Sequence, residues 1–396
     1  MTDVQLPAFP MTRTCPHQPP EGYAALRENG PLAQVRLVGD RTAWVVTDHD
    51  VARTLLVDPR LSSDRLRPDF PVLVPRMSAA KLVPLVGMDP PVHTQRRRML
   101  IAAFTVHRTQ QMRPEIEEIV SARLDAVLQE GPPVDLVPTL ALPVPSTVIC
   151  RLLGVPYADH DFFESQTQRM VLGSSTAQEA AGAAAALTEY VDTLIGEKQT
   201  KPGEGLLDEL IASHLDTGQI TRRDLAETVM FLLVAGHETT ANMITMSIVG
   251  LLENPEQLDR LRSDWSLLPN AVEELLRYLS VADEIQRVVA EPIEVAGHVL
   301  RVGDAVYLPA AASNRDPAAF PDPDALDVSR RARHHLAFGY GIHQCLGQNL
   351  ARAELEVTLR ALFERLPTLA LAEPLSSLPV KPGGSVQGVY RLPVTW

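Results

Sequence analysis

The feature that most constrains this chain is a glycine-rich segment, residues 335–347, which contains a single cysteine and leads into a helical pattern. Its three glycines are too many for a regular helix or strand, so the backbone is expected to turn tightly there or to approach another group closely. Apolar residues then recur at helical spacing over residues 346–366, and Pro367 ends the pattern. Cys345 is therefore predicted at a helix N-terminus, where unpaired N–H groups and the helix dipole lower a thiol pKa and favour a thiolate.

Several roles are open to such a cysteine. A lone cysteine at a helix start is most often an inert core residue and occasionally a catalytic nucleophile. Zinc binding is not predicted, because no second cysteine lies nearby at ligand spacing. A hydrolase that uses Cys345 and His343 is a more distant alternative, since no orienting acid is evident.

The residues around the cysteine favour a different role. Residues 338–347 follow the pattern Phe-Gly-x-Gly-x-His-x-Cys-Leu-Gly, which resembles the haem-binding loop of the cytochrome P450 family. In that family the cysteine thiolate is the proximal ligand of the haem iron, and its electron donation favours O–O cleavage. The resemblance implies that Cys345 binds iron.

The same resemblance implies roles for the neighbours of the cysteine. Phe338 is expected to pack beside the sulfur, and His343 to reach a haem propionate. Gly339 is expected to let backbone N–H groups face the sulfur, and Gly347 to let the helix approach the flat macrocycle.

Composition limits the class of protein. The 396 residues are 45% hydrophobic and 21% charged, which is ordinary for a globular protein with a sizeable core. No linker-like tract is evident, so residues 1–396 are predicted to form one domain, with 1–20 as an irregular lead-in. A net charge of −13 argues against nucleic-acid binding.

The expected location is the cytoplasm. Three cysteines do not make a disulfide framework and fit a reducing compartment. The proline-rich N-terminus does not read as a signal peptide, and no apolar run approaches the ~18 residues needed to span a bilayer. We expect a monomer that is not membrane-bound, similar to the soluble bacterial branch of the family and its actinomycete subgroup, which oxidises secondary metabolites and xenobiotics.

Local patterns predict the secondary structure that flanks the site. The 64–87 stretch has four prolines and no steady period, so it is predicted to be a long loop, which by the resemblance roofs the substrate pocket. Residues 380–396 are expected to be β-rich, with a turn at Gly383-Gly384 that touches substrate. The other predicted elements are a helix over 21–28, a hairpin of 33–37 with 42–47, an Asp48-capped helix to Val57, and helices over 114–129 and 177–198.

Two cationic residues open a further predicted helix. Pro90-Pro91 begins it, and His93 and Arg97 fall on one face because they are four residues apart. Such a face is usually solvated. The resemblance implies instead that both side chains bind haem propionates, as His343 is expected to do. Arg287, at the start of a β-rich run, is expected to bind a propionate as well.

The longest predicted helix runs from a Thr221 cap to about Leu252, and at ~1.5 Å per residue it is ~45 Å long. Residues 230–235 are apolar on every side, which predicts burial. Gly236 should leave a groove, and the Thr hydroxyls that follow can bend a helix by bonding back to a carbonyl.

The segment 235–239 resembles the oxygen-binding groove of the P450 family. Ala235 and Gly236 would then line the haem. Thr239 would donate to dioxygen at the iron, and Glu238 would relay protons from solvent. The alternative interpretation of these residues is a tolerated helix kink.

A helical Glu274–Arg277 pair is usually a surface feature of small energetic value. The resemblance implies instead a buried structural clasp beneath the haem loop, with Arg330 as a third member.

Together these motifs predict a mainly α cytochrome P450 fold, a single large helical domain with small β-sheets that encloses haem b. The implied function is a haem-thiolate monooxygenase that uses O2 and hydroxylates or epoxidises an apolar small molecule. No dinucleotide, flavin or iron–sulfur motif is evident, so electrons from NAD(P)H should arrive through a ferredoxin reductase and a ferredoxin. Ferredoxins are commonly acidic, and the arginines proposed to bind one are Arg96, Arg98, Arg330, Arg331, Arg333 and Arg352.

Two other functions remain at this stage. A peroxide-driven haem-thiolate enzyme would not need the proton relay that Glu238 and Thr239 imply. A non-catalytic protein that holds haem or an apolar ligand is the second. By the resemblance the substrate pocket is lined by segments 64–87, 165–195, 230–240, 281–287 and 385–392. Their mix of Val, Leu, Ala and Met indicates an apolar pocket, so macrolide, polyketide, terpenoid, sterol-like and drug-like substrates all remain possible.

Overall fold

The structure is a computed structural model and describes residues 6–15, 17–39, 41–71, 83–171, 174–283, 285–381 and 386–396. Helices dominate these ranges, which confirms the predicted mainly α class. The α-helices are α1 (Gly22–Glu28), α2 (His49–Leu56), α3 (Val92–Leu100), α4 (Val106–Glu130), α5 (Pro143–Leu153), α6 (His160–Val171), α7 (Ala177–Thr200), α8 (Leu206–Leu210), α9 (Arg222–Leu252), α10 (Pro255–Ser263), α11 (Leu268–Leu279), α12 (Ala310–Ser313) and α13 (Gln348–Arg365).

The strands are short and form three small sheets in the described ranges. The largest has the order β1-β2-β8-β5-β3, a second has the order β4-β10-β9, and β6 pairs with β7. Their bounds are β1 (Leu32–Arg36), β2 (Thr42–Val46), β3 (Leu61–Ser62), β4 (Val134–Asp135), β5 (Gln286–Val289), β6 (Ile293–Val295), β7 (His298–Leu300), β8 (Ala305–Tyr307), β9 (Ala370–Leu371) and β10 (Pro393–Thr395).

Helix α9 is the centre of the helical part. It begins as predicted, because the Thr221 hydroxyl accepts a hydrogen bond from the Asp224 N–H at 3.1 Å. Residues 240–251 are all buried, and the helix packs against α5, α7, α11 and α13. The main hydrophobic core is built around it.

Several local predictions are confirmed. Strands β1 and β2 form the expected antiparallel hairpin, with Leu32 opposite Val46. The Asp48 carboxylate accepts from the Val51 N–H at 2.8 Å and so caps α2. None of the helices in the described ranges is both long enough and apolar enough to cross a membrane.

Other boundaries differ from the prediction. Helix α4 starts at Val106 rather than at Pro114, because the Thr105 side chain caps it and Pro114 is tolerated inside the helix. One proline removes one backbone donor, and the buried face that includes Met112 and Ile116 holds the helix together. The Gly383-Gly384 turn and the centre of the 64–87 loop lie outside the described residues.

A buried ion pair ties α11 to the irregular segment that precedes the cysteine. Arg277 donates to both carboxylate oxygens of Glu274, at 2.7 and 2.8 Å, and both side chains are fully buried. Arg330 adds a third contact to Glu274 at 3.0 Å. Arg277 also donates to the carbonyl oxygens of Asn314 and Pro323. The structure therefore brings the three residues of the predicted clasp together and gives each charge a partner, which a buried pair requires.

Candidate active site

The cysteine segment is an irregular loop that ends where α13 begins. Gly339 and Gly341 have φ values of +66° and +75°, which favour glycine. A Cβ on Gly341 would also lie 2.9 Å from the Leu56 carbonyl oxygen. The Cys345 N–H donates to the Phe338 carbonyl oxygen at 2.8 Å and closes the loop.

The surroundings of the Cys345 sulfur differ from the prediction in two ways. Helix α13 begins at Gln348 with Gly347 as its cap, so the cysteine precedes the helix by three residues. The residue is solvent-accessible, yet enough protein surrounds its sulfur that burial raises the pKa of the thiol above its ordinary value. The N–H groups of Gly347 and Gln348 and the charge of Arg97 oppose that rise. The expectation of a lowered thiol pKa is therefore wrong, because burial outweighs these donors.

Four basic side chains gather beside the cysteine segment. His93 is buried, and its ring lies 4.1 Å from that of His343. Arg97 donates to the Gln344 carbonyl oxygen at 2.7 Å. Arg287, on β5, is buried and donates to the carbonyl oxygen of Gln286 at 2.7 Å.

Burial of these groups shifts their pKa values. Burial, with the charges of Arg287, His93 and Arg97, lowers the pKa of His343 to about 3. Burial also lowers the pKa of Arg287 to about 10, and the pKa of His93 falls because of burial and Arg97. The cluster is thus short of negative charge.

The nearby acid does not supply that charge in full. Asp89 raises the pKa of Arg287 and His93 through its charge, but its carboxylate already accepts from Ser62 and Ser63. Among the described residues, no carboxylate lies within ion-pair distance of Arg97 or Arg287, and both ring nitrogens of His93 lack a hydrogen-bond partner. Buried polar groups are normally paired, so this cluster fits a bound dianion.

Haem carries two propionate groups and an iron that accepts a thiolate ligand. The cationic cluster lies next to the segment that carries the exposed residue Cys345, since Arg97 on α3 contacts the neighbouring residue Gln344. No atoms lie within 4 Å of a Cβ built on Gly347, so the backbone there is open to a flat group. The residues present therefore fit haem.

The centre of α9 carries the second part of the site. Phe231, Val234 and Ala235 are partly accessible, so the expectation that residues 230–235 are buried on every side is wrong for one face of the helix. Thr239 is one turn beyond Ala235 and shares that face, where its hydroxyl donates to the Ala235 carbonyl oxygen at 3.0 Å.

Gly236 has a different consequence from the one expected. A Cβ at this position would lie 2.6 Å from the side chain of Ile149 on α5. The space beside the glycine is therefore filled by Ile149 rather than forming a groove, and Gly236 allows α5 and α9 to pack closely.

Glu238 is buried and bound by residues that the sequence did not reveal. Its Oε1 accepts from Lys381 at 2.7 Å and from the Asn242 side-chain amide at 3.0 Å. Burial, the largest single effect, favours the neutral acid, but Lys381 together with His237 and Asn242 outweighs it and lowers the pKa of Glu238 below its ordinary value. The carboxylate is therefore ionised at neutral pH.

Asn242, Lys381 and Glu273 were not among the predicted site residues, and they differ in how clearly the sequence indicates them. Asn242 is four residues from Glu238 on the same helix, so helical spacing could have indicated it. Lys381 is 143 residues away and belongs to the C-terminal segment, and no local pattern signals the contact. Glu273, which contacts the cysteine segment through His335, is adjacent to the predicted clasp residue Glu274.

A mainly helical fold with one accessible cysteine beside buried cations, and an acid–alcohol pair on its longest helix, defines a haem-thiolate class of enzyme. Comparison with known proteins agrees with this class. The family model "Cytochrome P450" matches residues 12–370, and the chain belongs to the cytochrome P450 family. It is a P450 monooxygenase and a haem-iron protein, as the sequence predicted.

Three of its relatives come from actinomycetes. Vitamin D3 dihydroxylase of Streptomyces griseolus is 55% identical over 98% of this chain and 97% of its own length. Pentalenic acid synthase of Streptomyces avermitilis is 53% identical over 100% of this chain and 99% of its own. The crystal structure of mycinamicin VIII C21 methyl hydroxylase from Micromonospora griseorubida, bound to mycinamicin VIII, has a TM-score of 0.94 at 41% identity, covering 99% and 100% of the two chains.

The Lys381–Glu238 pair gives a testable consequence of pH. Because the pKa of Glu238 is lower in the native protein than the 4.5 of the free group, the pair stabilises the fold above about pH 4.5 and loses that contribution in acid. Lys381→Met should raise the pKa of Glu238 and cost about 3 kcal/mol of unfolding free energy at pH 7, with a smaller loss at pH 5. Urea unfolding at both pH values measures this difference.

The double variant Lys381→Met/Glu238→Gln is the control, because it removes the buried charge together with its partner. It should be less destabilised at pH 7 than Lys381→Met alone. Equal losses for Lys381→Met at pH 7 and pH 5 would show that Glu238 is not held ionised by Lys381.

Proposed function

We propose that Cys345 binds the haem iron and that His93, Arg97, Arg287 and His343 hold the propionates. The observation that carries this proposal is a cluster of buried and half-buried basic groups beside the exposed residue Cys345, in which Arg97 and Arg287 have no acidic partner among the described residues. Charge-assisted bonds from guanidinium groups to carboxylates are strong, and they would neutralise the cluster.

Bound haem supplies the activation of O2 and the insertion of one oxygen atom into a C–H or C=C bond. The residues of this chain would orient the ligand at the haem and supply protons to it. The resemblance implies that Thr239 donates to dioxygen, but in this structure its hydroxyl hydrogen is donated to the Ala235 carbonyl oxygen. In this conformation its oxygen lone pairs would instead accept a hydrogen bond from a ligand on the accessible face of α9. Glu238 is the adjacent proton carrier, and it must exchange its contact with Lys381 before it can take up and pass on a proton.

We infer an apolar small-molecule substrate such as a macrolide, polyketide, terpenoid, sterol-like or drug-like compound. Phe231, Val234 and Ala235 offer an apolar accessible surface on α9. The names of the relatives support this breadth, since they refer to vitamin D3, pentalenic acid and mycinamicin VIII. Spectral shifts with a panel of such compounds would identify the substrate class.

Electrons should come from a ferredoxin and its NAD(P)H-dependent reductase. The six candidate arginines divide into two groups in the structure. Arg96, Arg330 and Arg352 form ion pairs with Asp224, Glu274 and Glu273 at 2.7–3.0 Å. The other three are exposed. Arg333 lies 3.6 Å from Glu273, whereas Arg98 and Arg331 form no ion pair with any described residue. Arg98 and Arg331 are therefore the better candidates for binding an acidic partner, because no carboxylate compensates their charge.

Carbon monoxide tests the role of Cys345. The reduced wild-type protein should give the difference spectrum of thiolate-ligated haem. Cys345→Ser should lose that spectrum, because a serine hydroxyl is not a comparable ligand. Cys15→Ser is the matched control, and it should keep the spectrum. An imidazole-type spectrum in the wild-type protein would contradict the proposal.

Thr239→Ala separates a monooxygenase from a peroxide-driven enzyme and from a binding protein. The variant should still show the substrate-induced spectral shift, but NAD(P)H oxidation should release hydrogen peroxide in place of product, because the hydroxyl that directs protons is gone. Thr245→Ala is the control, since Thr245 on the same helix makes the same type of bond to the carbonyl oxygen of Ala241 at 2.8 Å. Unchanged coupling in Thr239→Ala would favour the other two functions.

Reversing the exposed charges tests the ferredoxin surface. Arg98→Glu/Arg331→Glu should lower ferredoxin-supported turnover at low salt several-fold and flatten its dependence on ionic strength, because both cations are exposed. Peroxide-supported turnover should not change. Arg301→Glu, an exposed position next to β7, is the charge-matched control. If the double variant and the control behave alike, ferredoxin binds elsewhere.

A further inference from the structure

A second charged cluster lies beside the Glu274 clasp. Glu273 is 3% exposed, and its two carboxylate oxygens are bound by residues of two other segments. Arg352 on α13 donates to Glu273 through Nε and an Nη atom, at 2.7 and 3.0 Å. His335, ten residues before Cys345, contacts Glu273 through Nε2 at 3.0 Å.

The hydrogen bonds fix the protonation of His335. Its Nδ1 faces the Ala337 N–H at 3.1 Å, and a backbone N–H can only donate, so Nδ1 accepts. The proton of the neutral ring is therefore on Nε2, which donates to Glu273. Burial lowers the pKa of His335 and keeps the ring neutral, although Glu273 opposes this shift.

The cluster contacts Phe338, the residue that is hydrogen-bonded to the cysteine. The guanidinium carbon of Arg352 lies 4.6 Å from the centre of the Phe338 ring, a cation–π contact. The His335 ring lies 5.9 Å from the same ring. Because the Phe338 carbonyl oxygen accepts from the Cys345 N–H, a shift of Phe338 would move the cysteine.

We propose that Glu273 and Arg352 are positioning residues that set both the geometry and the electrostatic potential at the Cys345 sulfur. The bidentate pair and the cation–π contact hold Phe338 in place. The proposal rests on the assignment of Cys345 as the iron ligand. The two residues act with opposite signs on that ligand, because one is a cation and the other is an anion.

The sign of each effect follows from Coulomb's law. Reduction of iron adds one negative charge to the site, so a nearby cation stabilises the reduced form and a nearby anion destabilises it. Arg352 is only 19% exposed, so water screens its charge weakly, whereas Arg333, 3.6 Å from Glu273, is 83% exposed and contributes less. Loss of Arg352 should lower the reduction potential of the haem, and loss of Glu273 should raise it.

The experiment measures the reduction potential of the purified haem-containing protein by spectroscopic redox titration. Arg352→Gln should shift it negative and Glu273→Gln positive, each by about a tenfold change in the equilibrium constant, which is ~59 mV for one electron. Arg352→Lys keeps the charge and should restore most of the wild-type value. Arg360→Gln, on the same helix and paired with Glu364, is the control for net charge and should not shift the potential.

Two outcomes would overturn the inference. The potentials of Arg352→Gln and Glu273→Gln could stay at the wild-type value, or both could shift in the same direction, as a general loosening of the fold would produce. If Glu273→Gln fails to bind haem, the comparison of Arg352→Gln with Arg352→Lys still decides, because equal values would exclude a charge effect. A wild-type protein without a thiolate-ligated haem spectrum would instead refute the proposed role of Cys345.

Discussion

The geometry of the cysteine segment depends on two consecutive carboxylates of α11. Successive helical residues point about 100° apart, so Glu273 and Glu274 face different neighbours. Glu274 binds Arg277 and Arg330 and accepts from the Asp327 N–H, which fixes the chain that leads toward the cysteine. Glu273 holds the cysteine segment itself in place through its hydrogen bond with His335. Buried carboxylates are costly to desolvate, and each is stable here because several donors satisfy it.

The sign of the charged groups in the protein interior does not follow the net charge of the chain. The chain is strongly acidic, at −13, yet basic groups that include His93 and Arg287 gather in its interior beside Cys345. On α9 the signs of the charges are different, since a buried, ionised Glu238 is bound there by the cation Lys381. The first environment matches a bound dianion, and the second matches the proton-carrier role proposed for Glu238.

Sequence predicted the features that depend on local pattern. The Thr221 and Asp48 caps and the β1–β2 hairpin are short-range features, and the structure has them. The sequence predicts a helix start at Pro114, whereas tertiary packing allows this proline inside α4, which begins at Val106. The raised pKa of Cys345 was missed because burial is a property of the whole fold. The contact of Glu238 with Lys381 joins residues 143 apart, which no spacing rule reaches.

That long-range contact also constrains how protons can move. In the proposed proton-carrier role Glu238 would first have to accept a proton, because an ionised carboxylate cannot donate one, and its lowered pKa makes this unfavourable while Lys381 remains at 2.7 Å. Lys381 lies on the C-terminal segment, where Val380 pairs with Val389 and Val386 pairs with Ala282. A displacement of that segment would withdraw the cation, and burial would then favour the protonated acid. The position of the C-terminal segment and the protonation of Glu238 are therefore coupled by one ion pair.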